Sequence, residues 1–289
     1  MGRFFSRCML NIRPVLRKAL GIVFLCISKV LIRSTVFCGV KYFTKNLKNA
    51  DKLFILAPGS SINEMSKKDF QEISRYDSIG LNYFIFHEFT PTSYLIETHD
   101  TSGGYFDYVA CNYLKFNRTP ILYKGYNSPI KIIEFAKNLS FLRKANLQRF
   151  YLMKDAYRSD HRPSEEAEDI NNVKKIKDDY FYNDIASLLY VINLGYSCGY
   201  TEVVLCGFDM SADYFYCHPK YKDIVAKYPL CDTQNSGVNT IVSNPKATAK
   251  ILNRIRELGV FFNDRKGGIY QFKCNGRLDK VLKKYTFNQ

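Results

Sequence analysis

The chain of 289 residues has no tryptophan, no CxxC pair, no DxD, no GxGxxG and no GxxxxGK[ST]. Lack of tryptophan costs little aromatic bulk, because 22 Tyr and 22 Phe supply it. The other absences say more. The nine cysteines, at 8, 26, 38, 111, 198, 206, 217, 231 and 274, are odd in number and never two apart in CxxC spacing. That counts against a zinc site and a complete disulfide framework, and buried or free thiols in a reducing compartment are expected. Without the glycine fingerprints, neither a dinucleotide oxidoreductase nor a P-loop NTPase is favoured. Without DxD, the usual carboxylate pair that holds a divalent metal on a sugar-nucleotide diphosphate is missing, so metal-independent chemistry is the default.

Acidic residues are absent from residues 1–50, which carry ten Lys/Arg, whereas residues 51–289 carry 32 basic against 27 acidic side chains. A nucleic-acid binder would spread its charge over a folded face, and this arm is also apolar, so a membrane surface is favoured over DNA or RNA. No uncharged run in the arm reaches the ~18–20 residues of a clean transmembrane helix. As a helix, the arm sets Lys18, Lys29 and Arg33 on one side and Leu20, Val23, Phe24, Ile27 and Leu31 on the other, with Ile22 and Leu25 spoiling the division. That pattern suits a helix lying in the headgroups of an anionic leaflet. Two alternatives stay open: a secretory signal, and an amphipathic helix packed on the protein's own core.

At Asp51 the composition changes to short apolar runs alternating with mixed helical stretches, which reads as a domain boundary. Strands are expected at Leu53–Ala57, Ser78–Leu81, Ser93–Glu97, Pro120–Tyr123, Phe150–Met153 and, most clearly, Glu202–Cys206. Helices are expected at Ser66–Ser74, Asp184–Leu194 and Lys246–Leu258. This alternation predicts an α/β domain over 51–289 with a mostly parallel sheet, whose ligands bind at the carboxyl ends of strands. Residues 158–179 read as a solvated charged excursion and about 209–245 as an irregular lid.

Three features lie where such a sheet places its site. Pro58-Gly59-Ser60-Ser61 joins a strand to a helical turn, a geometry that offers amides and hydroxyls to an anion, or simply a tight turn. Asn82 ends the second strand, and Glu97-Thr98-His99-Asp100 ends the third. Each has a bland structural reading beside the functional one.

Taken with Ser187 opening an apolar helix and with Gly199-Tyr-Thr-Glu-Val-Val-Leu-Cys-Gly-Phe-Asp209, the segments Phe54–Ser61 and Ile79–Phe84 resemble the family 42 bacterial sialyltransferases. They also resemble the related transferase that adds Kdo to lipopolysaccharide core. The resemblance runs in motif order over roughly residues 51–262. It implies a single GT-A-like Rossmann domain with a lid, a CMP-sugar donor with no metal or other cofactor, and peripheral attachment to the cytoplasmic face of the bacterial inner membrane. By position it implies that Gly59 and Ser61 match the glycine and serine of the phosphate and ribose loop, with Pro58 in place of an asparagine, and Ser60 between them is a further candidate for binding substrate. Asn82 and Thr98 would contact the donor, Ser187 would bind it, and Tyr214 or Tyr216 would grip the leaving phosphate. The family's second lid tyrosine falls on Ser211, and Val242-Ser243 stands where the sialyltransferases carry their histidine, which makes Kdo or another ulosonic acid at least as good a donor as sialic acid.

Transfer from a CMP-ulosonate to a glycan of lipopolysaccharide, lipooligosaccharide or capsule needs a base for the acceptor hydroxyl. His218 in the lid, His99 at a strand end and Asp209 after the strongest strand are the candidates. Two other classes compete: a Rossmann-like pyrophosphokinase using ATP and Mg²⁺, and a non-catalytic nucleotide-binding protein.

Overall fold

The computed structural model describes residues 36–97, 108, 111–112, 119–124, 150–153, 155–156, 181–182, 187–209, 214–228, 245–274 and 276–287. Among them, nine strands form one sheet in the order β1-β6-β5-β4-β3-β2-β9-β10-β11. These are β1 (Val36–Cys38), β2 (Lys52–Leu56), β3 (Asp77–Leu81), β4 (Ser93–Glu97), β5 (Ile121–Lys124) and β6 (Phe150–Met153), then β9 (Glu202–Cys206), β10 (Gly268–Phe272) and β11 (Lys283–Lys284). The short strands β7 (Asp155–Ala156) and β8 (Phe181–Tyr182) form a separate pair. Among the described residues, every pairing between these strands is parallel.

A parallel sheet is covered on both faces, which is why β2 and β9 at its centre carry the buried apolar runs Leu53–Leu56 and Val203–Cys206. Leu53, Ile55, Val203 and Leu205 face one core, shared with α1 (Val40–Asn46), α3 (Ser187–Ser197) and α5 (Pro245–Asn263). Phe54, Leu56, Val204 and Cys206 face the other, an aromatic-rich core that includes Ile73 of α2 (Lys67–Ile73) and Phe215, Tyr216 and Tyr221. Helix α2 starts at a capping box in which Ser66 and Asp69 satisfy each other's amides. Helix α3 is buried along nearly its whole length, as its uncharged sequence requires, while α5 buries only the Ile251, Ile255, Leu258 and Phe262 side.

The domain begins earlier than its sequence suggests. Strand β1 pairs with β6, and Cys38 and Phe43 are buried, so the expected boundary at Asp51 falls inside the folded unit. Strand β1 escaped notice because three residues flanked by Arg33 and Lys41 look like a continuation of the basic arm. The arm's apolar helix, within residues 1–35, lies outside the described residues. Among the described residues no helix is long and apolar enough to cross a membrane.

These placements set the safe truncation point. On the membrane reading of the arm, deleting residues 1–35 should leave the thermal midpoint unchanged. Deleting 1–46 removes an edge strand and Phe43, a core ring whose loss alone costs about 3–5 kcal/mol. Equal melting curves for the two truncated chains would sink this assignment.

The expected lid is also partly core. Residues 214–228 form turns at Phe215–Cys217 and Pro219–Tyr221 and a helix, α4 (Lys222–Lys227), with Phe215, Tyr216, Tyr221 and Tyr228 buried. Aromatic area, not periodicity, holds this segment down, so a period-based reading misses it. The rest of the span, 210–213 and 229–244, lies outside the described residues.

Candidate functional site

The chain leaves β2 and builds β3, β4, β5 and β6 outward on one side, then returns to lay β9, β10 and β11 on the other. The strand order therefore reverses between β2 and β9, and in open parallel sheets the crevice at that carboxyl edge is where ligands bind. Three of the anticipated segments meet there.

After β2, Gly59 sits so close to the β9 loop that an added Cβ would lie 2.2 Å from the Gly207 carbonyl oxygen and 2.6 Å from Asp209 Oδ2. Gly59 N–H donates to Gly207 O at 2.9 Å, and Phe215 N–H donates to Pro58 O at 2.9 Å, while Gly59 and Tyr214 form an antiparallel bridge. Gly207 has φ +72, and a Cβ there would meet Ala57 O at 2.4 Å. Only glycine fits at these two positions.

Asp209, 3% exposed, closes the junction. Its Oδ2 accepts from Ser61 N–H at 2.8 Å and from Ser60 Oγ at 3.2 Å, and its Oδ1 accepts a short bond from Ser61 Oγ. The carboxylate thus occupies the start of the 3-10 turn Ser60–Glu64, where the sequence suggested an outside anion. A hydroxyl has one proton to give, so Ser60 and Ser61 cannot donate to a phosphate while they donate to Asp209. In this geometry the serine loop is a clamped turn, and Asp209 is its clamp.

Asn82 ends β3 with φ 45 and opens the 3-10 turn Asn82–Phe86. Asparagine tolerates that left-handed conformation better than most side chains, and non-glycine residues held there cluster at functional sites. Beside it, Tyr83 meets Tyr216 edge-on at 5.6 Å, and Tyr216 stacks on Tyr214 at 5.0 Å with planes 9° apart. Burial raises the Tyr214 phenol above its ordinary pKa, so the hydroxyl stays protonated and able to donate. Tyr83 was not anticipated; the Asn82-Tyr83 adjacency was the available signal.

Ser187 is the first residue of α3, the helix that runs back to β9, so it stands at the same carboxyl edge. His218 is exposed and caps the turn Pro219–Tyr221, its Nδ1 accepting from Lys220 N–H at 3.3 Å. In this conformation Nδ1 is engaged within its own turn. Thr98 and His99 lie outside the described residues. His87, not singled out from sequence, is 2% exposed among Phe70, Phe84, Phe215 and Tyr221, with Nδ1 accepting from Phe89 N–H at 3.0 Å; it packs the wall behind the site. Among the described residues, no three His, Cys, Asp or Glu side chains group to hold a metal.

No protein-family model matches the chain, and no curated protein matches it in sequence. The chain is similar to the apo crystal structure of an alpha-2,3-sialyltransferase from Campylobacter jejuni, at 15% identity and a TM-score of 0.40, over 83% of this chain and 81% of that one. An overlap this loose carries no argument about function.

Proposed function

We propose that this protein is a metal-independent glycosyltransferase that moves sialic acid, Kdo or a related ulosonic acid from a CMP-sugar to a glycan of bacterial lipopolysaccharide, lipooligosaccharide or capsule. It would work peripherally on the cytoplasmic face of the inner membrane. The supporting observation is the convergence, at one switch point, of the segments that carry the motif resemblance: Gly59 and Asp209 interlock there, with Asn82 and Tyr214 alongside.

Departure of CMP from an ulosonate passes through an oxocarbenium-like state and needs hydrogen-bond donors on the leaving monophosphate. With Ser60 and Ser61 committed to Asp209, that role falls to Tyr214, Tyr216 and Ser187, each contributing roughly 1–3 kcal/mol, while the Asn82 amide reads the nucleoside. Ser187→Ala should then weaken CMP binding and turnover together. Of the three candidate bases, Asp209 and His218 serve as turn caps in this conformation, so His99 is the first to test. His218→Ala is expected to keep near-wild-type kcat; a loss of about 10²–10⁴-fold would show that the Lys220 contact breaks on closure and that His218 is the base.

Thermal-shift measurements with CMP, CDP, UDP and ATP, followed by CMP release from a panel of CMP-sugars with rough lipopolysaccharide acceptors, test the reading. Stabilisation by CMP and turnover that survives EDTA are expected. Stabilisation by ATP with Mg²⁺ alone would point to the pyrophosphokinase class, and no stabilisation by any nucleotide to a scaffold.

A further inference from the structure

The formal charge of +15 is unevenly placed. Residues 245–289 carry eleven Lys/Arg against three acidic residues, while residues 36–244 carry 24 against 24, so the folded domain's positive excess is confined to its last elements. Those elements are α5, β10, the turn Arg277–Lys280 and β11, which forms one edge of the sheet with β10 beside it.

Some of these charges are engaged. Lys273 pairs with Asp69 at 2.7 Å, Arg254 with Glu257 at 3.1 Å, and Arg265 lies 3.7 Å over the Tyr196 ring. Lys250, Lys266, Arg277, Lys280, Lys283 and Lys284 are exposed and have no ion pair with any described residue. The nearest acid in sequence, Asp279, accepts from Gln271 at 2.7 Å. The four basic residues from 277 to 284 sit on a fixed support, because Leu278 is 0% exposed and β11 is paired to β10. The support adjoins the candidate site: Gly276, with φ +104, lies so near that an added Cβ would be 2.7 Å from Asp209 O.

We propose that this edge, Arg277, Lys280, Lys283 and Lys284 with the outer side of α5, docks on an anionic phospholipid bilayer as a second contact alongside the N-terminal arm. The proposal rests on the membrane reading of that arm and adds an orientation: the edge that touches lipid begins next to Asp209, so the carboxyl edge of the sheet lies beside the bilayer where a lipid-linked acceptor is held. A bilayer fits better than a nucleic acid. The exposed positions of α5 (245, 246, 249, 250, 253, 256, 257, 260 and 263) include no aromatic that could stack on a base. The chain's other basic block, residues 1–50, is interleaved with apolar residues. Lysines on an edge strand also discourage edge-to-edge pairing, but that explains Lys283 and Lys284 and not Arg277, Lys280 and Lys250.

The test is co-sedimentation of the full chain with phosphatidylcholine vesicles, with and without about 30% phosphatidylserine, at about 0.1 M salt. The variant Arg277→Gln, Lys280→Gln, Lys283→Gln, Lys284→Gln is compared with the pair Lys283→Gln, Lys284→Gln, and thermal melts confirm that both fold. With each residue contributing about fivefold at an anionic surface, the quadruple variant should partition at least tenfold more weakly and respond less to added salt, the pair falling between. Neutral vesicles should not distinguish the three proteins. A quadruple variant that binds like wild type, while deletion of 1–35 abolishes binding, overturns this proposal and leaves the arm reading standing. Wild type that ignores anionic vesicles overturns both. A variant that self-associates in size-exclusion chromatography with unchanged partitioning shows the lysines only guard the edge, which overturns it too. A basic edge that binds RNA or duplex DNA in preference to vesicles at the same salt assigns the surface to nucleic acid instead.

Discussion

Asp209→Ala should lower unfolding stability by about 2–4 kcal/mol and weaken CMP binding, although in the proposed reading no atom of Asp209 touches the donor. The carboxylate is buried and accepts from one amide and two hydroxyls of the serine turn. Hydroxyls can rotate toward other acceptors, but the Ser61 amide cannot, and a buried donor left without a partner costs the desolvation of that group. The junction has little slack, because Gly59 N–H is already held by Gly207 O at 2.9 Å and Ala57 N–H by Cys206 O at 2.8 Å. Asp209→Asn is the sharper variant: its amide oxygen can still accept from the Ser61 amide, while its NH₂ group can donate to a serine hydroxyl only if that hydroxyl turns its own proton away, so an intermediate loss is expected. Gly59→Ala reaches the same junction from the other side, by driving a methyl into the Gly207 carbonyl rather than by removing a charge. Chemical denaturation read by circular dichroism measures all three. An Asp209→Ala protein that melts with wild type would show that the clamp is incidental and return Asp209 to the list of candidate bases.

How far the sequence anticipates these results depends on the length scale of the cause. Strands β2 and β9 were legible because a parallel strand buried on both faces must be an apolar run, as Leu53-Phe-Ile-Leu56 and Val203-Val-Leu205 are. Strand β10 was not, since it opens on Gly268 and carries Gln271, a buried amide that Asp279 satisfies from outside the strand. At the site, Gly59, Asn82 and Tyr214 were legible as positions, and an aspartate that ends a strand, as Asp209 does, commonly caps a turn; that its partner is Ser61 was not legible. Their hydrogen bond joins residues 148 apart, and nothing local says that the turn's anion comes from within the chain. His218 is the local counterpart: its Nδ1 accepts from Lys220 N–H, two residues on, so in this conformation the ring caps its own turn.

Removing residues 285–289 should cost about 3–5 kcal/mol, a large effect for a terminal segment, because the tail roofs the sheet's aromatic face. Phe287 stacks on Phe54 at 5.8 Å and meets Phe272 at 5.0 Å, and Tyr285 meets Phe54 edge-on at 5.5 Å. Phe54 is 0% exposed, and no charged side chain could replace that cover. The tail also anchors a cation: Lys52 Nζ donates to Tyr285 Oη at 2.6 Å, pairs with Glu202 at 2.8 Å and lies 4.7 Å from the Tyr285 ring centre. Burial opposes the Lys52 charge, but the bonds to Glu202 and Tyr285 outweigh it and hold the ammonium above its ordinary 10.5. Burial likewise raises the Tyr285 phenol above 10.0, despite Lys52 pulling the other way. Both groups hold their protons more tightly when folded, so this contribution is fully present below their ordinary values and is lost as pH climbs through the folded ones. Tyr285→Phe keeps the ring and removes the hydroxyl, so it should cost only about 1 kcal/mol at neutral pH and flatten the alkaline fall in stability. Phe287→Ala should do the reverse, lowering stability by about 2–3 kcal/mol with the pH slope intact. Urea midpoints at neutral pH and above the ordinary lysine pKa separate the two, and a tail deletion that leaves both midpoints unchanged would show that the roof bears no weight.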